Sequence, residues 1–141
     1  MVDIGRLRAL LDRIAEETRH LRRLAGMPDA ELTTDPDRLA AVKYRFVVAI
    51  EAAIDVCQHV IASEGLRAPA DFADAFRVLG DAGYLEGAPA GRLQDMARFR
   101  NLLVHGYARV DDGRVVEALR TRLDDLDAFR RAVGSRLAEG A

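Results

Sequence analysis

The chain has one cysteine, Cys57, in 141 residues. A lone thiol excludes an intrachain disulfide and any zinc site built on cysteine pairs, and Cys57 reads as a small buried hydrophobe on a helix. An excess of either charge is also missing: 21 Lys and Arg stand against 23 Asp and Glu, a net charge of −2. No global positive field therefore gathers polyanions, and any nucleic-acid contact must come from a local patch or one built between subunits. No uninterrupted apolar run approaches the ~18 residues that span a bilayer. The first residues, Met1-Val2-Asp3-Ile4-Gly5-Arg6, open a charged amphipathic pattern without the apolar core of a signal peptide. The expectation is a cytoplasmic protein with no membrane contact. Period-two alternation and Asn-Gly turns are absent too, which argues against strands. The sequence holds no His-Glu-x-x-His, no phosphate-cradling glycine loop followed by Lys and Ser/Thr, and no Gly-x-Ser-x-Gly elbow. With 3 histidines and no acidic pair beside His105 in sequence, neither a metal nor a cofactor is expected.

What remains is helix. Half of the residues are hydrophobic and 31% are charged, an ordinary balance for one folded domain over residues 1–141. Ile4, Leu7, Leu11, Ile14, Thr18, Leu21 and Ala25 recur every three or four residues, so 3–25 reads as an amphipathic helix closed by Gly26 and Pro28. A loop is expected through Thr33-Thr34. Asp35 as N-cap, Pro36 at the first helical position and Gly65 as C-cap bound the second helix. Its apolar residues cover most of the circumference, which makes it the central helix and leaves a surplus for a dimer interface. A shorter helix is expected over 69–82, then a connector, then a helix from Pro89 or Ala90 that frays near Gly106. Residues 110–113 read as a turn, and 114–137 as one last helix. The sum is an all-α, up-and-down four-helix-type bundle with an additional short helix.

Against that apolar background Glu51 and Asp55 stand out, four apart on one face of the central helix. His59 is four residues beyond Asp55 and reads as its structural partner, whereas His20 reads as a surface residue among Arg19, Arg22 and Arg23. Asp111-Asp112 and Asp124-Asp125 read as turn and solvated-face residues. The stretch Arg98-Phe99-Arg100-Asn101-Leu102-Leu103-Val104-His105-Gly106-Tyr107 is different. A basic helix end suits the C-terminal dipole, but that does not explain Asn101 in mid-helix. At about 100° per residue Arg98, Asn101 and His105 share a face, while Arg100 lies about 140° from His105. The two converge only if the arginine reaches around, the helix ends early, or a second subunit supplies one of them.

These residue types fit phosphodiester cleavage in RNA. The reaction needs a base for the 2′-hydroxyl, an acid for the leaving 5′-oxygen and a cation for the charge on phosphorus. Histidine serves either proton transfer, arginine clamps phosphate with its fork, and asparagine orients a phosphate oxygen or the imidazole. One suitable histidine per chain leaves two proton transfers to one group, and a symmetric pair of chains removes that difficulty.

The run Arg100-Asn101-Leu102-Leu103-Val104-His105-Gly106-Tyr107 resembles the signature of HEPN domains, and its form Arg-Asn-x-x-Val-His-x-Tyr is similar to the HepT branch, the toxin half of HepT–MNT toxin–antitoxin pairs. Residues 43–55, 72–79, 96–101 and 123–129 look like that family's pattern as well. The resemblance implies an all-helical homodimer with metal-independent endoribonuclease activity at the interface cleft. It implies catalytic roles for Arg100 and His105, with Asn101 as the polar residue after the arginine. It also implies a partner, an MNT-type nucleotidyltransferase antitoxin that AMPylates the tyrosine two residues after the histidine, here Tyr107. Glu51, Asp55 and Arg98 are expected to support or orient the site. The competing expectation is a non-catalytic HEPN subunit that binds a nucleotidyltransferase.

Overall fold

A computed structural model of the chain describes residues 2–106 and 110–140. Among the described residues it is all-α, with seven helices and no strand: α1 (Ile4–Ala25), α2 (Asp29–Thr34), α3 (Pro36–Glu64), α4 (Phe72–Asp81), α5 (Ala90–His105), α6 (Asp112–Thr121) and α7 (Leu123–Glu139).

The capping chemistry sets the ends of the longest helix. The Asp35 carboxylate accepts the Asp37 N–H at 2.9 Å, Pro36 opens α3, and Gly65 closes it at φ 63°, a left-handed conformation that suits a residue without Cβ. Asp3 and Asp71 cap α1 and α4 in the same manner, through the Arg6 and Asp74 N–H groups. The expected start of α4 near residue 69 shifts to Phe72, because Asp71 takes the capping role.

α3 lies at the centre and presents twelve buried residues from Leu39 to Ile61. α1 packs along it in the opposite direction, since the Asp3 N–H meets His59 at one end and Glu17 meets Arg45 farther on. α7 runs antiparallel to α1, with Arg22 held by Asp124 and Asp127 at one end. Phe46, Phe76 and Phe129 are fully buried, and the pairs Phe46–Phe99 and Phe76–Phe129 meet edge to face at 5.5 Å, the arrangement that ring quadrupoles favour. Averaged over an 18-residue window α3 is long and apolar enough to cross a membrane, at mean hydropathy 1.6. Counting unbroken runs passes over this because Glu51 and Asp55 interrupt it. In the folded chain 56% of that window is buried inside the protein.

Further expectations differ from the structure. The segment read as a loop through Thr33-Thr34 is the helix α2: Leu32 is fully buried, and the Thr33 and Thr34 hydroxyls donate to the Asp29 and Ala30 carbonyls. Six residues around one apolar anchor carry no readable period. The single last helix is two helices broken at Arg122, and Asp111 and Asp112 start the first of them rather than forming a free turn. The apolar stripe stays in phase through the break. Tertiary contacts gather at the break: Arg92 Nη2 donates to the Thr121 carbonyl at 3.2 Å, and the Arg120 guanidinium reaches the Ala25 and Met27 carbonyls. Asp125 is not a solvated residue but is buried, bonded to Arg92 at 3.2 Å with Arg122 nearby. Lastly, His59 does not pair with Asp55; its Nε2 accepts the Asp3 N–H at 3.2 Å.

Candidate active site

The Arg98–His105 stretch forms the last two turns of α5. Leu93, Met96, Ala97, Phe99 and Leu103 face the core, which fixes the helix rotation and sends the polar residues to its flanks. The helix stops at Gly106, whose N–H bonds the Leu102 carbonyl at 2.8 Å. A Cβ at Gly106 would lie 3.0 Å from both Leu102 Cδ1 and the Leu102 carbonyl oxygen, so a glycine suits the turn directly after His105.

Arg100 is the best-anchored of these side chains. Its Nε and Nη2 both donate to Glu51 Oε2, at 3.0 and 2.6 Å, and its Nη1 donates to Asn101 Oδ1 at 3.0 Å. The Phe72 ring lies under the guanidinium at 5.2 Å, a cation–π contact. The arginine side chain is 13% exposed and Glu51 43%. A guanidinium carries five N–H groups; these bonds occupy Nε–H and one hydrogen on each terminal nitrogen, which leaves one donor on each terminal nitrogen without a partner among the described residues. Because Asn101 Oδ1 is engaged, its amide nitrogen is left as a donor.

The structure thus joins Glu51, Arg100 and Asn101 but not the other sequence-predicted site residues. His105 is exposed at the end of α5, and among the described residues no hydrogen bond or ion pair reaches it. Arg98 is turned away from Arg100 and pairs with Asp95 at 2.9 Å, both exposed. Asp55 does not touch Arg100; it lines an open groove of about 660 Å³ between α1 and α3, with Glu51, Arg6 and Arg13. Partial burial there raises the Asp55 carboxyl above its ordinary range; the positive Arg6 opposes this and the negative Glu51 adds to it. Tyr107 lies outside the described residues. Phe72, which the sequence presented as a core residue, is an unforeseen member of the site; its place under Arg100 carries no periodic signal.

Solved structures with the same architecture are at hand. YutE, a cytosolic protein of unknown function from Bacillus subtilis, matches with a TM-score of 0.84 at 19% identity, over 99% of this chain and 93% of that one. The tri-AMPylated HEPN toxin of Shewanella oneidensis in complex with MNT antitoxin matches with a TM-score of 0.84 at 21% identity, over 96% and 99%. At these identities the likeness shows the fold. In sequence, the mRNA nuclease HepT of Shewanella oneidensis is 28% identical over 79 residues, 56% of this chain, and the match spans 59% of that relative. The model of the family described as ribonuclease HepT-like matches residues 14–133, which takes in α3, α5 and every residue bonded to Arg100, and the chain belongs to that family.

Proposed function

We propose that this chain is a toxin-type, metal-independent endoribonuclease that works as a homodimer in the cytoplasm and cleaves RNA with Arg100, Asn101 and His105. The observation that carries the reading is the anchored guanidinium. Arg100 is fixed by Glu51 and Asn101, keeps a donor on each terminal nitrogen, and shares its helix with an exposed histidine. A preorganised cation of this kind stabilises charge that develops on a phosphoryl group without reorganising during the reaction. The naming of the Shewanella relative as an mRNA nuclease supports the same substrate class.

In the proposed reaction the 2′-oxygen attacks phosphorus as a base removes its proton. The 5′-oxygen leaves as an acid returns one, giving a 2′,3′-cyclic phosphate and a 5′-hydroxyl. Arg100 and Asn101 bind the phosphoryl oxygens. His105 performs a proton transfer, and since it points about 140° away from Arg100 around α5, a second copy of α5 brings the complementary histidine. Glu51 positions Arg100, Asp55 sets the charge beside Glu51, and Arg98 supports the substrate from the His105 face.

The regulatory half of the proposal is an MNT-type nucleotidyltransferase antitoxin that transfers AMP to Tyr107. The tyrosine oxygen attacks the α-phosphorus of ATP and pyrophosphate leaves. The Shewanella neighbour, a tri-AMPylated toxin in complex with such an antitoxin, supports this part. A bulky anion two residues from His105 blocks a phosphate site by charge and size.

The test is expression of the chain alone beside Arg100→Ala and His105→Ala, with growth and RNA cleavage as readouts. Cleavage by the wild type alone supports the reading. Equal behaviour of all three overturns it, and absence of cleavage from all three favours a non-catalytic subunit that binds a nucleotidyltransferase. Mass spectrometry after co-expression with the antitoxin is expected to find added AMP on Tyr107, and an unmodified Tyr107 contradicts the regulatory half.

A further inference from the structure

The proposed site lies between two grooves of opposite character. On the Glu51 side, the α1–α3 groove is lined by Arg6 and Arg13 against the carboxylates of Asp12, Glu16, Glu51 and Asp55. On the Arg98 side, a groove of about 410 Å³ runs between α5 and α6, where Arg98, Arg114 and Arg122 face two carboxylates, Asp95 and Glu117. A phosphate chain that crosses the site is repelled by the first groove and attracted by the second.

The second groove also has cations to spare. Arg114 has no hydrogen-bond or ion-pair partner among the described residues, and Arg98 holds only the exposed Asp95, a surface pair that yields readily to a competing anion. Arg122 is the exception, since it shares the buried Asp125 with Arg92 and belongs to the fold. On α5, Arg98 lies on the same face as Asn101 and His105, about 10 Å along the axis from His105 at 1.5 Å per residue. That stripe leads from the proposed cleavage position into the groove.

We infer that the α5–α6 groove is a second phosphate subsite, which holds the backbone of single-stranded RNA flanking the scissile bond with Arg98 and Arg114 as its cations. The inference rests on the ribonuclease reading for the direction of the strand. It adds a place where substrate length is sensed: phosphate contacts position a strand without reading its bases. Glu117, in the same groove, opposes the bound phosphate and sets an upper limit on its affinity.

The experiment uses the full chain in a His105→Ala background, so that a fluorescein-labelled single-stranded oligoribonucleotide stays intact. Arg114→Ala is expected to weaken its binding roughly fivefold at low salt, and to make the dependence of log affinity on log salt shallower by about 0.7, the share of one phosphate contact on a single strand. Glu117→Gln is expected to tighten binding, a gain that damage to the fold does not produce. With His105 present, Arg114→Ala raises KM for the oligonucleotide and leaves the turnover of a uridine dinucleotide unchanged. Unchanged affinity and salt slope in both variants overturn the subsite, and so does an equal loss on the dinucleotide. A chain that cleaves RNA while neither variant shifts binding leaves the ribonuclease reading standing without the groove. A chain that binds RNA with an Arg114-dependent slope but cleaves none leaves the groove standing without the nuclease.

Discussion

Along α3, Arg45 reaches Glu17 of α1 and, less than two turns later, Glu51 receives Arg100 of α5, and the two pairs bury opposite partners. In the α1–α3 seam the carboxylate is inside: Glu17 is 4% exposed, both of its oxygens accept from Arg45 Nη1, and Arg13 adds a third contact at 3.8 Å. In the α3–α5 seam the arginine is inside and the carboxylate faces water, with a single oxygen taking two donors. The first arrangement exhausts a buried charge and serves the fold. The second fixes a cation and leaves part of its hydrogen-bonding capacity unspent, which is what a substrate-binding arginine requires.

Removing each arginine separates the two roles. Arg100→Ala is expected to lower RNA cleavage by about 10²–10³-fold, the usual cost of one preorganised donor at a developing oxyanion, with thermal unfolding close to wild type because Glu51 is left in water. His105→Ala is expected to lose about 10²–10⁴-fold, as for a missing general acid or base. Arg45→Ala does the reverse. It strands Glu17 in the interior with only Arg13 nearby and costs about 3 kcal/mol in denaturant unfolding, while cleavage per folded molecule is unchanged. Loss of activity without loss of stability in Arg45→Ala would erase the distinction between the seams.

A smaller effect sharpens it. Glu51→Gln keeps an acceptor for Arg100 but weakens the clamp, and is expected to slow cleavage about tenfold; misplacing an aligned group costs up to about 10²-fold. The smallest effect comes from a third, exposed pair. Arg67 and the Ala70 N–H hold the Asp74 carboxyl well below the usual carboxylate range. A depressed folded-state value means that its stabilisation is present above the unfolded value of about 4 and is lost as pH falls toward the folded one. Asp74→Asn should therefore make the acid-side fall of Tm shallower and leave activity at neutral pH unchanged.

Much of this was readable in the sequence, for identifiable reasons. Caps are local chemistry, so Asp35, Pro36 and Gly65 bounded α3 correctly. The three- and four-residue spacing of Leu7, Leu11, Ile14, Thr18 and Leu21 gives the buried face of α1 for the same reason. The break at Arg122 is not readable, because the apolar stripe continues through it and the donor that meets the Thr121 carbonyl, Arg92, comes from α5. In the site, Glu51 is legible as an acid on an apolar helix, and the fold gives it Arg100 as a partner. Asp55 carried the same signal, yet it faces the α1–α3 groove because one helical turn moves it beyond reach of α5. Arg114 carries no signal at all; only the groove between α5 and α6 brings it into one lining with Arg98.

The most direct measurement of the central claim is the end-group chemistry of RNA incubated in EDTA with the purified wild-type chain, with Arg100→Ala and with His105→Ala. The wild type is expected to give 2′,3′-cyclic phosphate and 5′-hydroxyl ends, and either variant only residual cleavage. Ends bearing 5′-phosphate, or equal cleavage by all three proteins, would contradict it.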